Sequence, residues 1–451
     1  MELELIKRVY FVGVGGIGMS ALARYFKNRG CEVSGYDKTK TVLTTALEAE
    51  GILITYVDEL SSLKEAYLQP GEDTLVVYTP AIPKGSVLLN YFSDNGFDLQ
   101  KRSQVLGIIS RGQFCIAVAG THGKTTTSSV IAHLLTATGF GCTAFLGGIA
   151  TNYQSNFLLG DNDVVVVEAD EYDRSFLTLH PDIAVITSMD ADHLDIYGDA
   201  AALHESFHLF ADQLKDGGSL FVKDGLPITK GITYSIGESA AVKAKNIRVE
   251  HGDFVFDYLD DQFAIEGIRL MLPGKHNVEN ATVAIAAALQ LGIEPEKIKA
   301  ALAGFKGVKR RFEYIVREQK HIYIDDYAHH PEELRACFDA VRQLYPERKL
   351  TVVFQPHLFT RTRDFADDFA KVLSTADDLL LLDIYPAREL PLAGITSAYL
   401  LDKITLEQSA VYTKDGVLTY VQDALPELLL TVGAGDIDTL IQPLKNILTN
   451  V

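Results

Sequence analysis

The sequence predicts an α/β protein, and three observations carry that expectation. Short strand-like apolar runs alternate with stretches of helical period along most of the chain, the pattern of parallel sheets covered by helices. Two glycine-rich turns, Gly13-Val-Gly-Gly-Ile-Gly18 and Gly120-Thr-His-Gly-Lys-Thr125, each stand between such a run and a helical stretch. At 451 residues the chain also exceeds what one hydrophobic core normally organises. Three domains are expected: an N-terminal Rossmann-like unit over 1–104, a central P-loop ATPase-like α/β unit with a flanking β-sheet over 105–311, and a C-terminal Rossmann-like unit over 312–451.

In the first unit a strand at 9–12 leads into the first glycine turn, a helix follows to Gly30, and a second strand at 32–36 ends at Asp37. This is a βαβ with an acid about twenty residues beyond the glycines, where a ribose-binding carboxylate is expected. Taken alone, those features also fit a dinucleotide-dependent oxidoreductase. A further strand at 74–78 runs into Thr79-Pro-Ala-Ile-Pro83.

The second unit opens with the other glycine turn, which reads as a phosphate-binding loop. Its glycines let backbone N–H groups face phosphate oxygens, and the following helix, with apolar residues at Val130, Ile131, Leu134 and Leu135, aims its positive end at the same place. Lys124 supplies a mobile cation and Thr125 a hydroxyl for Mg²⁺. Two residues separate Gly120 from Gly123 where the commonest pattern has four. Strands at 164–167 and 183–187 follow and are expected side by side. They end in Glu168-Ala-Asp-Glu-Tyr-Asp173 and Ser188-Met-Asp-Ala-Asp-His193. Thr125, Glu168 and nucleotide phosphates make a plausible Mg²⁺ site, which His193 can join; the alternative is a solvated acidic loop and a helix-capping histidine. From about 220 to 271 the pattern turns to short β-like runs such as 254–258. His276, Asn277 and Asn280 then precede an Ala-rich helix, and their spacing alone favours capping.

The third unit contains strand runs at 322–325, 350–354, 378–383 and 428–432, each followed by a polar loop. Those loops hold Asp326, Tyr327, His329 and His330, then His357 and Arg361, and then Gly433-Ala-Gly-Asp436. The Arg361/Arg363 pair suits a carboxylate or phosphate. Arg310-Arg311, at the proposed hinge, either reaches phosphate on domain closure or is a surface basic pair.

Composition excludes several function classes. Apolar residues make up 47% and charged residues 22%, against a disordered scaffold. With 41 basic and 60 acidic residues the net charge is −19, which opposes binding to nucleic acid and anionic membranes. Cys31, Cys115, Cys142 and Cys337 show no zinc or disulfide spacing. No apolar run reaches the roughly 18–20 residues of a membrane span, and no signal pattern is present, so a cytoplasmic protein without membrane insertion is expected.

The ordered set GVGGIGMSALA (13–23), AGTHGKTTTSS (119–129), EADEYD (168–173), DADHLDIYG (190–198), PGKHNVENA (273–281), KRRFE (309–313), DDYAHHPEEL (325–334), FQPHLFTRTRDF (354–365) and GAGD (433–436) resembles the Mur ligase family along essentially the whole chain. The absence of Lys between His193 and Lys215 is similar to the branch acting on UDP-N-acetylmuramate itself. The resemblance implies an ATP- and Mg²⁺-dependent ligase joining L-alanine to the carboxylate of UDP-N-acetylmuramate in peptidoglycan precursor synthesis; monomer and homodimer both stay open. A recycling branch that adds a preformed tripeptide is the alternative.

Carried over by position, the resemblance implies that Gly15, Gly16, Ile17, Gly18, Asp37 and Thr79 hold the UDP-sugar. ATP falls to Gly120, Thr121, His122, Gly123, Lys124, Thr125, Thr126, His276, Asn277, Asn280, Arg311 and Asp326, which reverses the capping preference for the two asparagines. Thr125, Glu168 and His193 are the implied metal ligands, and Tyr327, His329, His357 and Arg361 the amino-acid residues. Lys124, Glu168, His193, Arg311 and His329 are the catalytic candidates. Leu358 stands where many members have Arg, which leaves Arg361 as the expected carboxylate partner.

Overall fold

A computed structural model of the chain describes residues 3–190, 197, 199–387 and 389–449. The chain divides into two compact units, one of Met1–Lys245, Asp257–Ile268 and Glu279–Phe305, the other of Asn246–Phe256, Arg269–Val278 and Lys306–Val451.

The first unit contains a five-stranded parallel sheet of β1 (Arg8–Val12), β2 (Glu32–Tyr36), β3 (Leu53–Thr55), β4 (Thr74–Tyr78) and β5 (Asp98–Lys101). Their order is β3-β2-β1-β4-β5. The chain thus builds outward from β1 in one direction and then from β4 in the other. The crevice outside the carboxyl ends of β1 and β4 is where such sheets bind ligands. The glycine turn and Thr79 follow those two strand ends.

A second sheet follows, with β6 (Phe114–Ala119), β7 (Thr143–Ala150), β8 (Ser155–Leu158), β9 (Val164–Glu168), β10 (Ile183–Ile186), β11 (Ser219–Lys223) and β12 (Ile232–Ser235). Neighbours run β12-β11-β10-β6-β9-β7-β8. One expectation is corrected here: the strands that end at Glu168 and before His193 are not adjacent. The phosphate-loop strand β6 lies between them, pairing Val118 with Glu168 on one side and Ala119 with Ile186 on the other. Because β6, β9 and β10 are covered on both faces, they read as unbroken apolar runs rather than alternating ones. Fully buried Val118 and Val166 each contribute about 1.5–3 kcal/mol by leaving water.

The two sheets of this unit share a core. The Tyr25 ring stands 5.5 Å from Phe145, and Arg24 on the same helix donates to Asn156 Oδ1 at 2.5 Å. The helix that follows the first glycine turn is thereby tied to the β7–β8 hairpin. Three further strands, β13 (Val242–Glu250), β14 (Asp253–Leu259) and β15 (Ala264–Leu270), fall where the short β-like runs were expected and carry residues of both units.

The second unit is built on a six-stranded sheet of β16 (Glu313–Arg317), β17 (Ile322–Asp326), β18 (Leu350–Phe354), β19 (Asp378–Leu381), β20 (Ser409–Val411) and β21 (Leu428–Val432). The order is β16-β17-β21-β18-β19-β20, and only β16 in this sheet is antiparallel. Inserting β21 between β17 and β18 brings the loops after β17, β21, β18 and β19 to one edge. All four cysteines are buried free thiols.

Candidate active site

The phosphate loop is shaped by two glycines that no other residue can replace without strain. Gly120 has φ +138°, and a Cβ there would stand 2.1 Å from Thr187 Oγ1. Gly123 has φ +83° and is the N-cap of the helix Lys124–Ala137, which no side chain caps. A Cβ on Gly123 would stand 3.0 Å from Asn280 Oδ1, so the structure brings Asn280 beside the loop. The first N–H groups of that helix face the same place, the ordinary arrangement for an anion.

Two residues missed by sequence reasoning hold this short loop. The Thr187 hydroxyl donates to the Ala119 carbonyl at 3.0 Å and also to that of His122. Ser188 Oγ accepts from the His122 N–H at 2.6 Å and lies 2.9 Å from Thr121 Oγ1. Both follow β10, and their hydroxyls bond to groups of the loop. The signal for them was their place just past a strand, but the partner lies more than sixty residues away.

Lys124 Nζ donates to the Gly120 carbonyl at 2.6 Å and to Glu171 at 2.7 and 2.9 Å. Burial pulls the lysine pKa down, and the charges of Glu171, Asp170 and Glu168 more than offset that, leaving it above the ordinary value. In the sequence Glu171 stands out only as part of an acidic loop. Glu168, at the end of β9, accepts from the Gly147 N–H at 3.1 Å. Thr125 and Thr126 are buried in the first turn of the helix.

Glu168 and Thr125 offer oxygen donors, which suit Mg²⁺. Among the described residues no group of three His, Cys, Asp or Glu could enclose a metal, and a cation that keeps waters and phosphate oxygens needs no such cage. His193 lies outside the described residues.

At the first glycine turn, Asp37 Oδ2 accepts from the Gly15 N–H at 2.7 Å and Oδ1 from the Thr39 N–H at 3.1 Å. A Cβ on Gly15 would stand 2.8 Å from that carboxylate, and one on Gly13 would stand 3.1 Å from Thr79 Cγ2. Gly16 is the N-cap of the helix Ile17–Asn28. Gly18 lies against Arg102, whose Nη1 would be 3.0 Å from a Cβ there. Of the expected UDP-sugar residues, Asp37 and Thr79 thus both stand beside the first glycine turn, Asp37 at Gly15 and Thr79 at Gly13.

In the second unit the sheet edge gathers the third group. The Tyr327 ring meets His329 at 5.4 Å, His329 meets His357 at 5.7 Å, and His357 stacks on Tyr385 at 5.8 Å. Tyr385 was missed, because its loop carries no signature. His329 Nδ1 lies 3.0 Å from the Tyr327 carbonyl and 3.2 Å from Glu333 Oε2. Both neighbours are acceptors, so in the neutral ring Nδ1 carries the hydrogen and Nε2 the lone pair. Arg311 stands 5.3 Å over the Tyr327 ring and 3.9 Å from Glu333.

Asp326 accepts from the Phe312 and Ala328 N–H groups at 2.6 and 2.7 Å. Arg361 is buried in the helix Phe359–Asp364, entered through Leu358 at φ +70°. Neither asparagine of the 273–281 motif is an N-cap, since the helix Lys275–Gln290 begins before them. Asn277 instead donates to the Pro273 carbonyl at 2.7 Å, and the His276 ring fills the space beside Gly274.

Family models described as "Mur ligase family, catalytic domain", "Mur ligase middle domain" and "Mur ligase, glutamate ligase domain" match residues 8–114, 118–288 and 310–437. The UDP-N-acetylmuramate–L-alanine ligase of Flavobacterium psychrophilum is 52% identical over 99% of each chain. The crystal structure of the UDP-N-acetylmuramate-alanine ligase of Thermotoga maritima matches with a TM-score of 0.81 at 25% identity, covering 98% of each chain. A murein peptide ligase from Psychrobacter arcticus matches with a TM-score of 0.70 at 24% identity, covering 99% of each, which shows the shared fold.

Proposed function

The chain belongs to the Mur ligase family, and from that premise we propose that it is an ATP-dependent ligase joining L-alanine to the carboxylate of UDP-N-acetylmuramate, with release of ADP and phosphate. The observation that carries this reading is the order β10-β6-β9, which sets the phosphate loop between Thr187/Ser188 and Glu168. An oxidoreductase would have no use for that arrangement.

A carboxylate is a poor acylating agent, so it first takes the γ-phosphoryl group of ATP and becomes an acyl phosphate. Charge spreads over the transferring oxygens, and Lys124 with the loop amides is placed to stabilise it. Thr125 and Glu168 would hold Mg²⁺, with His193 as a further ligand, and the ion supplies neutralisation of phosphate charge. The alanine amine is mostly protonated at neutral pH and must lose a proton before attack. His329 Nε2 takes that proton, and the rings of Tyr327 and His357 with the Arg361 guanidinium position the amino acid. Asn280 beside the loop, with His276, Asn277, Arg311 and Asp326 by family likeness, is assigned to ATP. Gly15 to Gly18, Asp37 and Thr79 are assigned to UDP, so that residues 1–104, 105–311 and 312–451 take the sugar nucleotide, ATP and the amino acid respectively.

Support for L-alanine over a tripeptide comes from the 52% identity, over 99% of each chain, to an alanine ligase. Phosphate release with UDP-N-acetylmuramate and ATP tests both readings, with L-alanine, L-serine, glycine and the tripeptide supplied in parallel. Release with L-alanine is expected, and release with the tripeptide alone overturns the assignment.

A further inference from the structure

We propose that Glu171 is a built-in competitor of the nucleotide phosphates, a positioning residue that holds Lys124 when no nucleotide is bound and speeds release of the nucleoside diphosphate. Both carboxylate oxygens of Glu171 accept from Lys124 Nζ, at 2.7 and 2.9 Å. The Glu171 side chain is 1% exposed and that of Lys124 13%. The Tyr197 hydroxyl donates to the Glu171 backbone carbonyl at 2.5 Å, which fixes where the carboxylate can reach.

A P-loop ammonium has three N–H donors. Here they are directed at the Glu171 carboxylate and the Gly120 carbonyl, with the Thr121 carbonyl at 3.5 Å. A phosphate oxygen arriving at Lys124 therefore competes with these acceptors, and beside the Glu171 carboxylate it brings the same sign of charge into a site where water screens little. The exchange subtracts from nucleotide affinity. A triphosphate has additional phosphate contacts with the loop to offset that loss, whereas the diphosphate left after transfer has fewer, so the competition falls hardest on the product. Glu168, three residues earlier, adds its charge near Lys124, while its Oε2 accepts from the Gly147 N–H on β7.

The inference rests on the ATP reading above, and one experiment separates the two. ADP binding to the full chain is measured by calorimetry and by thermal shift, for the unmodified protein, Glu171→Gln and Tyr197→Phe. Glu171→Gln keeps the shape and an oxygen acceptor but removes the charge. It is expected to tighten ADP binding by about tenfold, equivalent to 1.4 kcal/mol, to enlarge the ADP-induced rise in Tm, and to lower the Tm of the nucleotide-free protein. Tyr197→Phe, which frees the backbone anchor, is expected to shift ADP affinity in the same direction by a smaller factor. A purely structural Glu171 would lower the nucleotide-free Tm while leaving ADP affinity unchanged or weaker, and that result overturns the proposal. No ADP binding by the unmodified protein would overturn the ATP reading instead.

Discussion

Gly147 approaches Glu168 so closely that a Cβ on it would stand 2.1 Å from Glu168 Oε2. A glycine in β7 is thus what allows the carboxylate at the end of β9 to accept a backbone N–H at 3.1 Å. Gly147→Ala must displace Glu168 from that position. Orienting partners of a metal ligand are typically worth about 10–100-fold in metal affinity. The Mg²⁺ concentration giving half-maximal phosphate release is expected to rise by that factor, and an unchanged Mg²⁺ titration would remove Glu168 from the metal site.

Lys124→Ala is expected to reduce turnover by about 10²–10³-fold or more, the usual loss on deleting one transition-state donor. UDP-sugar binding, assigned above to a different sheet, is expected to stay nearly intact. The same change strands the buried Glu171 carboxylate, so thermal stability should fall as well. Calorimetry with UDP-N-acetylmuramate checks the division of ligands, and equal loss of both functions would contradict it.

Asp37 holds the first glycine turn through the Gly15 N–H and its own loop through the Thr39 N–H. Hydrogen bonds to a charged group are worth about 1.5–3 kcal/mol. Asp37→Ala is therefore expected to weaken UDP binding by roughly 10–150-fold while leaving ADP binding unchanged. Fluorescence or calorimetric titration with each nucleotide separates the two sites.

His329→Ala is expected to lower turnover by about 10²-fold or more at neutral pH, and to recover part of it at alkaline pH as alanine deprotonates unaided. A pH–rate profile parallel to that of the unmodified protein would leave His329 with a positioning role only.

Asp325 is fully buried, and burial pushes its carboxyl up to about 7 against the pull of Arg310 at 3.0 Å and the Thr431 hydroxyl at 2.6 Å. Unfolded, the group titrates near pH 4. Between about pH 4 and pH 7 the native chain therefore keeps a proton that the unfolded chain has lost, and stability falls as pH rises through that window. Asp325→Asn cannot ionise, and its denaturation midpoint should lose that slope. A slope identical to that of the unmodified protein would show that Asp325 is ionised throughout.

Much of the fold was legible because its central strands are buried on both faces. Runs such as residues 164–167 and 350–354 can be solvated poorly in any other setting. The glycines of both turns were legible for a different reason. Backbone at positive φ, or within contact of another side chain, excludes a Cβ, so the residue type itself reports the local shape, as at Gly120 and Gly123. Thr187, Ser188, Glu171 and Tyr385 were not legible. Hydroxyls, carboxylates and phenols occur in any polar loop, and what these four do is defined by partners on other elements.

The sequence by itself determined the α/β class, many of the central strands, the two glycine turns and the family, since each rests on local steric demands or on residues in a recognisable order. Only the tertiary structure decided that β6 lies between the strands of Glu168 and Thr187, that Asn280 stands beside Gly123, and that Lys124 is held by Glu171. Strand order and side-chain pairing depend on contacts between residues far apart in the chain, which local periodicity does not encode.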